Sequence, residues 1–274
     1  MKITNKVIST VILISAIFMA TNATAKEPIV EVKTDYGVIK IKLYNETPKH
    51  RDNFLKLARE GFYNGLLFHR IIKEFMIQGG DPESKNAPAS KQLGAGDNGY
   101  TIPAEFTYPL HYHKKGALAA ARTGDAVNPT KASSGCQFYI VEGKKYTDSD
   151  LTRIEQSKKN QAMQKAFYML KNKHLAEIKL MMQNKDQEGL QNLQNQLISE
   201  ADSIASSDSA SYTMPEQMRK DYKEIGGTPF LDGDYTVFGE VVEGMDVIDK
   251  IAAVDTDAND RPLKDIKMKV TVEE

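Results

Sequence analysis

The sequence predicts a mainly β fold that carries one helical insertion. Three observations lead there. Residues 29–43 alternate apolar and polar side chains on either side of a turn. Residues 67–81 form an apolar ribbon that ends in Gly79-Gly80-Asp81. Between Lys144 and Ile225 the apolar spacing changes from period two to that of helices, and strand-like sequence resumes after Gly227.

Composition sets the outer bounds. A chain of 274 residues is long enough for one large domain or a domain with an appendage. Its 41% apolar and 27% charged content is ordinary for a soluble globular protein. A net charge of -1 argues against a nucleic-acid or membrane-surface role. Cys136 is the single cysteine, so no intrachain disulfide can form. Lys2 and Lys6, the apolar run Val7 to Met19, and Ala23-Thr24-Ala25 read as a signal peptide over 1–25, cleaved after Ala25. The apolar run is short for a bilayer span. The expected mature protein is periplasmic or otherwise extracytoplasmic, with no stable membrane insertion after cleavage.

In order, Ile29 to Thr34 and Val38 to Leu43 form a hairpin about Asp35-Tyr36-Gly37. Thr47 is the expected N-cap of a helix that has Pro48 at its first position. That helix points Phe54, Leu57 and Ala58 inward and stops at Gly61. The ribbon follows, with Phe68, Ile71 and Ile72 in one strand and Phe75-Met76-Ile77 in the next. Arg70 is its odd member, because a guanidinium in an apolar ribbon needs a partner or a task. Residues 81–99 make a long polar loop. His111 and His113 lack a third ligand and read as ordinary polar loop residues. Gly116 to Arg122 is a strand of small side chains, suited to close backbone approach. In Cys136 to Val141, alternation puts Gln137 and Tyr139 on one face and Phe138 on the other. Cys136 reads as a small buried residue. In the insertion, two stripes stand at helical spacing. The first comprises Met163, Phe167, Leu170, His174, Ile178 and Met181. The second comprises Leu190, Leu193, Leu197, Ala201 and Ile204. Asn184-Lys185-Asp186 is the expected break of a helical hairpin. Thr213 and Glu216 read as the capping box of a last short helix.

The run Phe68-His69-Arg70-Ile71-Ile72, then Phe75-Met76-Ile77-Gln78-Gly79-Gly80-Asp81, resembles the central signature of the cyclophilin-type peptidyl-prolyl isomerases. Leu231-Asp232-Gly233-Asp234-Tyr235-Thr236-Val237-Phe238-Gly239 resembles a second run of that family. The likeness covers residues 27–143 and 226–274 and leaves 144–225 as the insertion. It implies a closed eight-stranded antiparallel β-barrel capped by two helices, with a peptide groove on the outer face. It also implies an activity, acceleration of X-Pro isomerisation, which the signal peptide read over 1–25 would direct to exported proteins.

That reaction meets a barrier of roughly 18–20 kcal/mol from the partial double bond of the amide. Shortening tens of seconds to about 10 ms takes about 5 kcal/mol of transition-state stabilisation. No bond breaks, so no nucleophile, metal or other cofactor is expected. The resemblance assigns Arg70 as the cation that favours the twisted amide, whose nitrogen becomes a better acceptor as resonance is lost. Phe75, Met76, Tyr139, Leu231 and Tyr235 would line the proline cup. Gln78 would hold a substrate carbonyl, and Gln137 with the backbone at Ala121 and Arg122 would fix the chain. His69 would orient the site, and Phe230 would contact the substrate. Tyr139 replaces the family's usual Phe, so its hydroxyl needs a partner. Phe230 stands where many eukaryotic members have Trp, which implies weak cyclosporin binding. The expected partners are proline-containing unfolded or flexible polypeptides. Two other readings stay open: a non-catalytic peptide-binding module, and a holdase acting through the insertion.

Overall fold

The structure, a computed structural model, describes residues 26–273; the expected signal peptide lies outside them. The chain opens with β1 (Ile29–Thr34), β2 (Gly37–Leu43) and α1 (Pro48–Arg59). β3 (Phe68–Ile72) and β4 (Met76–Gly79) form the ribbon. β5 (Thr101–Ile102), β6 (Ala117–Ala120), β7 (Ser133–Ser134) and β8 (Phe138–Val141) follow. The insertion holds α2 (Asp148–Lys173), α3 (Leu175–Gln183), α4 (Gln187–Ser207) and α5 (Glu216–Glu224). β9 (Val237–Glu243), α6 (Met245–Ala252) and β10 (Lys269–Val272) complete the fold.

Eight strands make one sheet in the order β10-β1-β2-β9-β6-β8-β4-β3, and every neighbouring pair is antiparallel. Alternation decides its inner face. Val30 pairs with Ile41 and Val32 with Ile39, and all four are fully buried. One inner row runs across Ile71, Ile77, Ile140 and Leu118 on successive strands. α1 adds Phe54, Leu57 and Ala58 to this core, and α6 adds Val247, Ile248 and Ile251.

Four expectations need correction. The barrel does not close by a continuous ladder. The sheet curls until 65–68 meets 266–268, where Phe68 N–H donates to the Ile266 carbonyl and Met268 N–H to that of Leu66. A single bridge, Leu67 to Lys267, lies in this seam. Beyond it the β3 edge is occupied by a loop, since Ile71 N–H donates to the Asp260 carbonyl. Next, Thr47 holds the N-cap position of α1 but makes no side-chain cap. The Glu105 carboxylate does that work instead, accepting from the N–H groups of Lys49 and His50 at 3.1 and 3.0 Å. Thr213 likewise caps nothing: α5 starts at Glu216 after Pro215, and Met214 N–H donates to Glu155. Finally, the first arm of the helical hairpin is broken at His174, which ends α2 and begins α3. The hairpin turn itself falls at 184–186, with Asp186 capping α4 by accepting from Gly189 N–H.

The insertion has two cores. Ala166, Leu170, Leu193, Leu197 and Ala201 pack along an arm made by α2, α3 and α4. Ile204, expected in that stripe, is exposed because the buried row passes to Ala205. At the root, Leu151, Met214, Met218 and Tyr222 pack against Tyr108, Tyr112 and Tyr146.

Candidate active site

Sheet register assembles the site. Arg70 pairs with Gln78 across β3 and β4, Gln78 with Tyr139 across β4 and β8, and Tyr139 with Ala119 across β8 and β6. This outer row is offset by one residue from the apolar inner row, so the pleat alone sends its side chains outward. β3 carries a bulge between Phe68 and Arg70, which leaves His69 as the extra residue. Gly80, at φ +92°, then turns the chain tightly past β8; a Cβ there would lie 2.2 Å from the Cys136 carbonyl oxygen.

Arg70, Phe75, Met76, Gln78, Ala121, Arg122, Tyr139, Leu231 and Tyr235 line one dimple of about 180 Å³. Met76 and Tyr139 form its buried floor, and Phe75, Leu231 and Tyr235 stand half-buried around it. Tyr235 meets Tyr139 edge-on, with ring centroids 6.0 Å apart. Arg122 stacks its guanidinium 4.4 Å above Tyr235 and donates to the Asp234 carbonyl, which holds that wall upright.

The Arg70 guanidinium is loosely held. Its Nε lies 3.4 Å from Asp260 and its Nη1 3.4 Å from the Gln78 Oε1, both long for hydrogen bonds. Its side chain is 42% exposed. Gln78 in turn donates to Gln137 Oε1 at 3.0 Å.

Beside the dimple a broader cavity of about 620 Å³ shares Gln78, Ala121 and Arg122 with it. Its rim is the long loop, which is pinned from two sides. Asp81 accepts from Gly94 N–H, and Gln137 Nε2 donates to the carbonyls of Gly94 and Gly96. The loop and the dimple therefore form one groove.

Three expected site residues sit elsewhere than the cup. Gln137 spends its amide on the loop and on Gln78, so it shapes the groove wall. Phe230 is half-exposed and packs against Phe75, with ring centroids 5.6 Å apart. His69, 3% exposed, does not line the dimple but a second cavity that Arg70 shares with it, along with Leu93, Asn259 and Arg261. Neither of its ring nitrogens has a protein partner, and burial pushes its pKa down to about 4. It is therefore neutral at pH 7. Both peptide groups of Ala121 are already bonded, its N–H to the Gln137 carbonyl and its carbonyl to Ser134 N–H. Ala121 thus offers the groove its methyl surface. Burial pushes the Cys136 thiol up to about 11, in keeping with a small packing residue.

One residue was missed by sequence reasoning. His113 is fully buried, not an ordinary loop histidine. Its Nδ1 lies 2.8 Å from Asp232 and its Nε2 3.0 Å from the Tyr139 hydroxyl. That hydroxyl thus has the partner it needs, and burial holds its pKa well above the ordinary value. His111 diverges, stacking on Tyr44 at 3.6 Å and reaching Glu46. The signal for His113 was weak: only the adjacency of Asp232 to the Leu231 of the matched motif hinted at it.

Known proteins match this arrangement. The chain fits the family described as "Cyclophilin type peptidyl-prolyl cis-trans isomerase/CLD" over residues 29–273. A Streptococcus pyogenes protein named as a bifunctional phosphatase/peptidyl-prolyl cis-trans isomerase is 31% identical over 87% of this chain, which spans only 37% of that protein. A Staphylococcus saprophyticus protein named as a peptidyl-prolyl cis-trans isomerase is 28% identical over 85% of each chain. A crystal structure of a Cryptosporidium parvum cyclophilin type peptidyl-prolyl cis-trans isomerase shares the fold. Its TM-score is 0.52 at 19% identity, over 90% of this chain and 98% of that one. The same protein was also solved in the presence of the dipeptide Ala-Pro. By motif, fold and match along its length, the chain belongs to the cyclophilin-type peptidyl-prolyl cis-trans isomerases.

Proposed function

We propose that the protein isomerises X-Pro bonds in exported polypeptides, with Arg70 stabilising the twisted amide over the cup. The carrying observation is one half-exposed guanidinium at the rim of an aromatic dimple, restrained among the described residues by two contacts of 3.4 Å. A cation so placed has donors to spare for an amide nitrogen that gains its lone pair at mid-rotation. The interaction is stronger in the transition state than in the ground state, as catalysis requires. Phe75, Met76, Tyr139, Leu231 and Tyr235 seat the ring, and Gln78 holds a flanking carbonyl. Export rests on the leader-like residues 1–25.

The test is a coupled assay on a short proline tetrapeptide. Arg70→Ala should lower kcat/KM by about a hundredfold or more while leaving the fold intact, in the range seen when one preorganised donor is lost. Undiminished turnover in Arg70→Ala would refute the role given to Arg70; peptide binding without turnover in the unaltered protein would favour the binding-module reading. Phe230, lacking an indole N–H, supports the expectation of weak cyclosporin binding, which titration would measure.

A second role is favoured by the arm. Tyr168, Met169, Leu180 and Met182 are exposed large apolar side chains along α2 and α3. The arm would recruit unfolded chains to the groove. A holdase acting by the arm alone predicts that Arg70→Ala leaves client protection unchanged.

A further inference from the structure

The root of the insertion reaches the floor of the cup through a line of four buried side chains. Tyr222, on α5, is fully buried, and its hydroxyl donates to Asp232 Oδ2 at 2.6 Å. Asp232 Oδ1 accepts from the backbone N–H of His113 at 2.9 Å and lies 2.8 Å from its ring Nδ1. His113 Nε2 lies 3.0 Å from the Tyr139 hydroxyl. All four residues are at most 4% exposed. Lys158, on α2, adds a second tie by donating to the Asp232 carbonyl.

The chemistry gives this line a direction. An ionised carboxylate only accepts, so Nδ1 of His113 carries the proton that faces Asp232. With Nδ1 turned to the carboxylate, Nε2 is the ring nitrogen placed to accept from the Tyr139 hydroxyl at 3.0 Å. Three donors converge on one carboxylate: His113 N–H, His113 Nδ1–H and Tyr222 O–H. With these made, every polar group in the line has a partner. A buried network that is fully satisfied holds its members rigidly. An apolar cup alone would be served by a phenyl ring at 139. The hydroxyl gains its meaning from the line behind it, and that line starts in the insertion.

We propose that Tyr222, Asp232 and His113 are positioning residues through which the root of the insertion fixes the Tyr139 ring and so the shape of the proline cup. The inference rests on the isomerase reading of the cup. It makes the insertion a structural part of the site as well as an attached arm.

Four proteins test it: unaltered, Tyr222→Phe, Tyr139→Phe and the double variant. Turnover of a short proline tetrapeptide should fall about fivefold in Tyr222→Phe, the scale of one lost hydrogen bond. In the Tyr139→Phe background the same change should cost less than about 1.5-fold, because the line no longer ends on the ring. Selective tyrosine labelling supplies a readout without turnover: the Tyr139 ring should flip faster in Tyr222→Phe than in the unaltered protein. If Tyr222→Phe does not yield folded protein, His113→Gln cuts the same line and should give the same pattern. Equal losses in both backgrounds, or unchanged ring flipping, would overturn the proposal. Absence of turnover in the unaltered protein would sink the isomerase reading instead, and ring flipping would then judge the relay alone.

Discussion

Arg70 and His69 are adjacent in the chain and have opposite surroundings. Arg70 faces the groove with a solvated guanidinium, whereas His69 is the bulged residue, sealed behind β3 without a hydrogen-bond partner. Burial is the largest influence on His69 and holds its pKa at about 4, below the 6.5 of a free imidazole. The unfolded chain therefore takes up a proton between pH 6.5 and 4 that the folded chain refuses. Stability should fall as pH drops through that window, by an amount approaching about 3 kcal/mol, and this group should contribute no slope above pH 7. Denaturant midpoints at pH 7 and pH 4.5 would measure it, and His69→Gln should flatten the difference. Identical slopes in the two proteins would show that His69 is not the source. Arg70, Phe75 and Gln78 were legible in the sequence because they crowd into one ribbon. His113 was not, because its partners Asp232 and Tyr139 stand 119 and 26 residues away.

Elements were read well where one face decides their placement. The alternation of β1 and β2 and the inward residues of α1 needed no knowledge of the rest of the chain. Helix starts were read poorly for the complementary reason. The carboxylate that caps α1 is Glu105, supplied from 55 residues away and itself held by Thr236 through its N–H. No local pattern announces such a partner. The arm shows the limit in another way, since its stripe was continuous in sequence while the backbone breaks at His174. Its small core predicts separate behaviour. Leu197 is 2% exposed and packs within the arm cluster. Leu197→Ala should remove about 2–4 kcal/mol from the arm. Amide exchange in α2 and α4 should then quicken by at least about thirtyfold, with Leu118 and Ile140 in the sheet unaffected. Uniform quickening throughout would mean that arm and sheet unfold together.

At the scale of the molecule, the division of labour is testable only if the cut respects the root. Removal of everything from 144 to 225 would take Tyr222 with it. Lys159 and Asp202 pair at 3.0 Å across the arm's base, so a short linker can replace residues 161–201. That shortened protein should keep turnover of a tetrapeptide within about twofold and lose several-fold in refolding of a proline-limited protein. Equal losses in both assays would reject recruitment by the arm. The insertion was legible as a foreign segment, but its attachment was not, because Tyr222 and the Tyr112 ring it packs on stand far apart in the chain. The pairing of β1 with β10 carries a last implication. Val30 lies opposite Val272, so the first strand waits for the last. A polypeptide emerging amino end first would present a bare strand border through nearly its whole passage, inviting adhesion to neighbours until its tail arrives.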